Sequence, residues 1–161
     1  MSTYAEQMQA LFHRYQREVD PNPADLHDVA AWAMSQGLWN PRPADIHDRF
    51  SRDMAEALRQ EYRTDERGRS YRANHAVRTS KNGRQMSFWA DIDTAPRSHM
   101  EKAFAQRRRQ IVGDSYQLRS DVDHYNDAHP AEPKIQLVLD FTDDVEEMMV
   151  AKGIGDDVQA A

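Results

Sequence analysis

Apolar and polar positions alternate through residues 70–93, SYRANHAVRTSKNGRQMSFWADID, and the alternation predicts a two-stranded hairpin. Asn82-Gly83 suits a type I′ turn, because both central residues of that turn need positive φ. With those two at the turn, Lys81 pairs with Arg84. One face then carries Tyr71, Ala73, His75, Val77 and Thr79 opposite Met86, Phe88, Ala90 and Ile92. The other carries Arg72, Asn74, Ala76 and Arg78 opposite Ser87, Trp89, Asp91 and Asp93. A slip of one residue would undo this sorting.

Elsewhere the apolar period is helical. Tyr4, Met8, Leu11, Phe12, Tyr15 and Val19 predict a first amphipathic helix over 2–18, ended by Asp20-Pro21-Asn22-Pro23. Asn22 fits an N-cap with Pro23 at the first helical position, and the second helix runs to about Gln36 before Gly37. Its stripe is Leu26, Val29, Ala30, Ala33 and Met34. A third helix spans about 43–63, with Ile46, Phe50, Met54, Ala57 and Leu58 on the core side. Residues 23–38 and 43–58 share the start PAD-(Leu/Ile)-HD. Two copies fall short of a solenoid, so they read as two helices with similar acidic first turns. TDERGRS (64–70) reads as a polar turn.

After the hairpin, Thr94 is placed to cap a helix with Pro96 in its first turn. Phe104, Ile111, Leu118 and Tyr125 recur every seven residues along it, and Gly113-Asp114-Ser115 offers a point where it could divide. Residues 128–133 form a linker. KIQLVLDF (134–141) places Ile135, Leu137, Leu139 and Phe141 on one side, which predicts a strand, and TDDVEEMMVAKG (142–153) predicts an acidic helix. The expected fold is α+β and mainly helical, with a first domain at 1–93 and a helical extension at 94–161 bearing a short strand and an acidic tail.

Charge changes the picture more than composition does. The net charge is −6, but residues 1–40 hold 2 basic and 5 acidic side chains, 41–120 hold 17 and 11, and 121–161 hold 2 and 11. Within 67–109, 11 basic residues meet 3 acidic ones. A basic middle followed by an acidic end is an argument about partners rather than about fold. Mean hydropathy is −0.92, a polar balance that points to an elongated chain or an oligomer. The absence of cysteine excludes disulfides, thiol catalysis and thiolate zinc sites. No apolar run is long enough to span a membrane and MSTYAEQMQA lacks a secretory pattern, so the expected compartment is cytoplasmic.

Three helices followed by a basic-tipped hairpin is the element order of a winged helix-turn-helix, and residues 4–93 resemble that architecture in order, without a specific motif. The resemblance implies a third helix in the major groove and a hairpin, or wing, on the backbone. It places Arg42, Arg49, Arg52, Arg59 and Arg63 on or near the recognition helix, and Arg72, Arg78, Lys81 and Arg84 on the wing. The third helix departs from the pattern in its length. Its arginines are also interleaved with Asp45, Asp48 and Glu56 at pairing distance, which equally describes a solvated, salt-bridged face.

Arg107-Arg108-Arg109 is the densest basic run; it suits phosphate contacts or pairing with the chain's own acidic tail. Trp89 falls on the polar face of the hairpin, where it either anchors a partner or lies under the C-terminal segment. Together with Phe104, Ile111, Leu118 and Tyr125 it marks a candidate partner-binding surface, with a homodimer expected through the long helix. Asp121-Val-Asp123-His124-Tyr-Asn-Asp127, with Glu132 beyond, loosely echoes a calcium loop but has Asn126 where glycine is required. No phosphate loop, nucleophile elbow or nucleotide fingerprint occurs, so neither cofactor, metal nor catalytic residue is expected. The acidic tail (Asp140, Asp143, Asp144, Glu146, Glu147, Asp156, Asp157) is plain surface, a shield for the basic middle, or a mimic of phosphates. These observations lead to the expectation of a small regulatory protein binding duplex DNA, with a protein-interaction module as the alternative.

Overall fold

The computed structural model describes residues 2–154; Asp156 and Asp157 of the acidic tail lie outside the described residues. The protein is α+β and mostly helical. Its elements run α1 (Tyr4–Glu18), α2 (Leu26–Ser35), α3 (Asp45–Gln60), β1 (Tyr62–Thr64), β2 (Ser70–Arg72), β3 (Asn74–Lys81), β4 (Arg84–Asp91), α4 (Arg97–Ala128) and α5 (Thr142–Ala151). They fall into two compact units, Met1–Arg52 and Asp53–Ala161. The hairpin and α4, which the sequence put on opposite sides of residue 93, belong to the same unit.

In the first unit α1 is opened by a capping box. Glu6 N–H donates to the Thr3 hydroxyl at 3.2 Å and Thr3 N–H donates to the Glu6 carboxylate at 2.6 Å. The cap of α2 is Asp25, not Asn22. The Asn22 N–H is already bonded to Asp20 Oδ1 at 2.9 Å, whereas Asp25 Oδ1 accepts from His27 N–H at 2.7 Å. That bond holds the Asp25 carboxyl below the usual carboxylate range. Gly37, at φ 65°, ends the helix in the left-handed region as expected. Tyr15, Val29 and Ala33 are buried, and the Tyr15 ring meets Trp32 edge-on at 5.5 Å. Beside them α1 and α2 border an apolar groove of about 450 Å³, lined by Met8, Leu11, Phe12, Leu26, Val29 and Trp39 among others.

In the second unit the hairpin forms in the predicted register, from Lys81↔Arg84 through Val77↔Phe88 to Asn74↔Asp91. Asn82 and Gly83 have φ of 53° and 72°, the pair of positive values the turn demands. Two boundaries differ from expectation. Helix α3 stops at Gln60, because Tyr62-Arg63-Thr64, β-favouring at both ends, pairs as β1 with β2 in the register Arg63↔Tyr71. The polar stretch after it is the connecting turn, closed by Asp65 Oδ1 accepting from Arg67 N–H at 2.9 Å and Arg69 N–H at 3.0 Å, with Gly68 at φ 76°. The strand expected from residue 70 onward is therefore split at Ala73 between two small sheets.

Ala73 links them. Its N–H donates to Glu61 O at 3.0 Å and its carbonyl accepts from Ile92 N–H at 2.8 Å, and it is fully buried. Around it sit buried His75 and Val77 from β3 and Met100 and Ala103 from α4. α4 begins after Pro96, without a side-chain cap from Thr94, and runs unbroken through Gly113-Asp114-Ser115. The second cap expected at Asp114 with Gln117 does not form: Gln117 donates forward to Asp121 Oδ1 at 2.8 Å, and the Ser115 hydroxyl donates to Ile111 O at 2.8 Å inside the continuous helix. Residues 134–141 carry no strand pairing.

Candidate nucleic-acid interface

The root of the hairpin is a dense polar cluster. Arg63, carried by β1 rather than by α3, presents a fork to Asp91: Nη1 donates to Oδ1 at 2.8 Å and Nη2 to Oδ2. Nη1 also donates to Asp93 Oδ2 at 2.7 Å, and Glu61 lies 3.8 Å away. The two parallel bonds are the strong form of this pair. The Arg63 guanidinium holds the Asp91 carboxyl at about 2, with the Asp93 N–H adding to the effect. The Arg63 guanidinium is in turn pushed further from losing its proton. Tyr71 donates its hydroxyl to Asp93 at 3.3 Å, and its ionisation is pushed up by burial first and by the Asp93 charge second.

Above the root, α4 is fastened to β3 by side chains. The His75 ring is buried with its edge toward Phe104 at 5.3 Å, and its Nε2–H donates to Arg72 O at 2.9 Å. His99 Nε2–H donates to His75 O at 2.9 Å. Burial lowers the His75 pKa, and the charge of Arg107 works in the same direction against the Arg72 carbonyl, which raises it. Two turns on from His99, the Gln106 carboxamide takes the place of a neighbouring strand. Its Oε1 accepts from Arg78 N–H at 2.8 Å and its Nε2 donates to Arg78 O at 2.9 Å.

That clamp joins two basic segments. Arg78, Lys81 and Arg84 lie toward the tip of the hairpin, and Arg107, Arg108 and Arg109 follow Gln106 directly in α4. Among the described residues none of these six side chains has a carboxylate partner. All six are exposed.

The other predicted contacts are placed differently. Arg42 is paired with Asp45 at 3.3 Å and lies over the Tyr4 ring at 5.4 Å. Arg49 is engaged by another residue of the chain, and Arg52 contributes to the field that lowers the Asp45 carboxyl after the dominant Arg42 hydrogen bonds. Arg59 is 3.5 Å from Glu56 and stands over the Trp89 ring at 5.5 Å. Trp89 is accordingly half-buried and carries a cation on its face. Arg72 is half-buried and donates to Tyr62 Oη at 3.1 Å. Arg63 is locked at the hairpin root. Arg42, Arg59, Arg63 and Arg72 are thus held by contacts within the chain, while Arg52 is exposed and reaches Asp45 through its charge.

On α4, Phe104, Ile111, Leu118 and Tyr125 are 49%, 52%, 46% and 42% exposed, an uncovered stripe at heptad spacing. The loose calcium-loop echo lies on the last turns of this helix, where the Tyr125 ring stacks on His129 at 4.1 Å. No group of three or more His, Asp or Glu residues placed to hold a metal ion occurs among the described residues.

Gln106, Asp91, Asp93 and His75 escaped the sequence reading as participants in this region. Only Asp91 and Asp93 left a trace, as acidic residues at the base of a basic hairpin. Gln106 left none, since an exposed glutamine on a helix is unremarkable until a strand edge lies beside it. Comparison of the chain with protein-family models, curated proteins and solved structures finds no match.

Proposed function

We propose that the protein binds duplex DNA without chemistry of its own, as a regulatory protein that uses the hairpin as the wing of a winged-helix-like arrangement. Arg78, Lys81 and Arg84 contact the phosphate backbone from the hairpin, and Arg107, Arg108 and Arg109 extend that surface along α4. The observation that carries this reading is the Gln106 clamp, which sets Arg78 beside the triple arginine while no described carboxylate neutralises either group. Arg42, Arg59 and Arg63 are engaged by Asp45, Glu56, Asp91 and Asp93, which moves weight from the expected recognition helix toward the wing. Contacts of this kind position a protein on DNA and confer little sequence preference.

Titration of fluorescent random duplex at several salt concentrations tests the reading. Replacing Lys81 and Arg84 together by alanine removes two phosphate contacts, so the slope of log affinity against log salt falls by about 1.8. An unchanged slope removes the wing from the interface. Absence of salt-sensitive binding by the unaltered protein overturns the reading.

A second reading, a protein-interaction module, has its own support in the uncovered α4 stripe, since apolar surface of that extent marks association sites. Replacing Ile111 by lysine separates the two: DNA affinity survives and partner capture is lost if the stripe is the working surface.

A further inference from the structure

The stretch Lys134–Phe141 reads as a strand in sequence and pairs with no other strand among the described residues. Leu137 and Leu139 are half-buried, while Gln136, Val138 and Asp140 are exposed, Val138 at 77%. That two-residue period is the signature of an extended chain with two faces. The Asn126 side chain, from α4, takes both backbone groups of Ile135: Ile135 N–H donates to Oδ1 at 2.9 Å, and Nδ2 donates to Ile135 O at 3.1 Å. In an extended chain alternate residues direct N–H and C=O to opposite edges. Asn126 therefore occupies one edge at Ile135, and the edge served by Lys134, Gln136, Val138 and Asp140 stays open along its length. Among the described residues the backbone N–H groups on that edge have no partner in the chain.

We infer that this open edge pairs with the same segment of a second copy, antiparallel about Leu137. The sequence is complementary to itself in that register. Lys134 stands opposite Asp140 of the second copy and Asp140 opposite its Lys134. Ile135 faces Leu139, Gln136 faces Val138, and Leu137 faces its own counterpart. A shift of two residues puts Lys134 opposite Val138 or Thr142 and loses both ion pairs, and a shift of one turns the apolar residues to the wrong face. A pairing in which each residue's partner is reciprocated is what a two-fold interface requires. Lys134–Asp140 and Gln136–Val138 are the hydrogen-bonded pairs, which leaves Leu137 in a close, non-hydrogen-bonded pair at the axis.

Self-association at this edge concerns the protein alone and stands or falls without nucleic acid.

The test is the mass of the full chain by sedimentation over a range of concentrations, with charge reversals at the two ends of the strand. Lys134→Asp and Asp140→Lys each turn two attractive pairs into repulsive ones and weaken the dimer about tenfold, and the two reversals combined restore it. The chain has no cysteine, so Leu137→Cys provides a single thiol. At the axis its Cα lies within disulfide range of its counterpart, and mild oxidation yields a cross-linked dimer, while Val138→Cys, one step off the axis, cross-links far more slowly. A monomer at every concentration overturns the inference. So does a dimer that ignores both single reversals and oxidises no faster at position 137 than at 138, because its interface then lies elsewhere, on the α4 stripe or the free edge of β4.

Discussion

The root and the tip of one hairpin use the same residue type in opposite ways. At the root Arg63 is clasped by Asp91 and Asp93, Ala73 is sealed between two sheets, and His75 is buried against Phe104. At the tip Arg78, Lys81 and Arg84 extend without carboxylate partners among the described residues. An arginine held by a bidentate pair has spent its hydrogen-bond donors on the fold. One left in solvent keeps them for a phosphate. The hairpin thus separates a root with paired charges from a tip with exposed ones over the eight residues of each strand. Substitutions at the two ends should fail in different currencies, stability at the root and salt-dependent affinity at the tip.

The largest expected effect is at the root. Met100 is α4's largest buried residue beside β3, and truncating a buried methionine to alanine costs about 2–5 kcal/mol. Met100→Ala should lower the denaturation midpoint accordingly, as measured by urea unfolding at pH 7. The Lys81 and Arg84 double substitution should stay within about 0.5 kcal/mol of the unaltered protein in the same experiment, as exposed sites do. Equal losses from both would erase the distinction between root and tip.

Next comes acid sensitivity, which the root has and the tip lacks, and which the root should show in two steps. His75 binds its proton less readily in the fold than in the unfolded chain, because burial disfavours the charged ring. Stability is therefore full above the unfolded value near 6.5, falls as pH drops through it, and levels off below the folded value. Asp91 adds a second decline in the same direction, by a different cause, because its ion pair with Arg63 favours the charged carboxylate. Its carboxyl is lowered from 3.8 to about 2, so its contribution is complete above 3.8 and disappears as pH falls toward 2. Melting temperature recorded from pH 8 to 2 should show both declines. His75→Leu should abolish the first and keep the second.

The difference between the ends was only half legible in the sequence. Asn82-Gly83 and the alternation around it gave the turn, register and faces, because each is a local property of a few residues. What joins to the root is not local. Arg63 was expected on α3, since nothing in its immediate neighbours reveals that Tyr62–Thr64 would find Ser70–Arg72 as a partner. The same limit applies to residues 134–141, where the period is right but the ladder depends on a second strand. It applies also to α2, where two acidic or amide residues three positions apart competed for the cap and the preceding Asp20 decided between them. Of the candidate interface, the residue types and the local pairs Arg42–Asp45 and Arg59–Glu56 were within reach of the sequence; the capture of Arg63 was not, because Asp91 and Asp93 lie 28 and 30 positions away.

The smallest expected effect is the most discriminating, because it falls on the joint between the hairpin and α4. Gln106 gives two neutral hydrogen bonds to Arg78 at an exposed position, so Gln106→Ala should cost only about 1 kcal/mol of stability. On the proposed reading its effect on DNA should be larger than that figure suggests, since the clamp ties Arg78 to the residue that precedes Arg107. Gln106→Glu sharpens the point. It keeps an acceptor for the Arg78 N–H and so retains one of the two bonds, but it introduces a negative charge into the basic surface. If the surface binds phosphates, Gln106→Glu should be the more stable of the two variants and the weaker binder, with the gap narrowing as salt rises. If Gln106 serves the fold only, binding should follow stability and the glutamate variant should bind better than the alanine one.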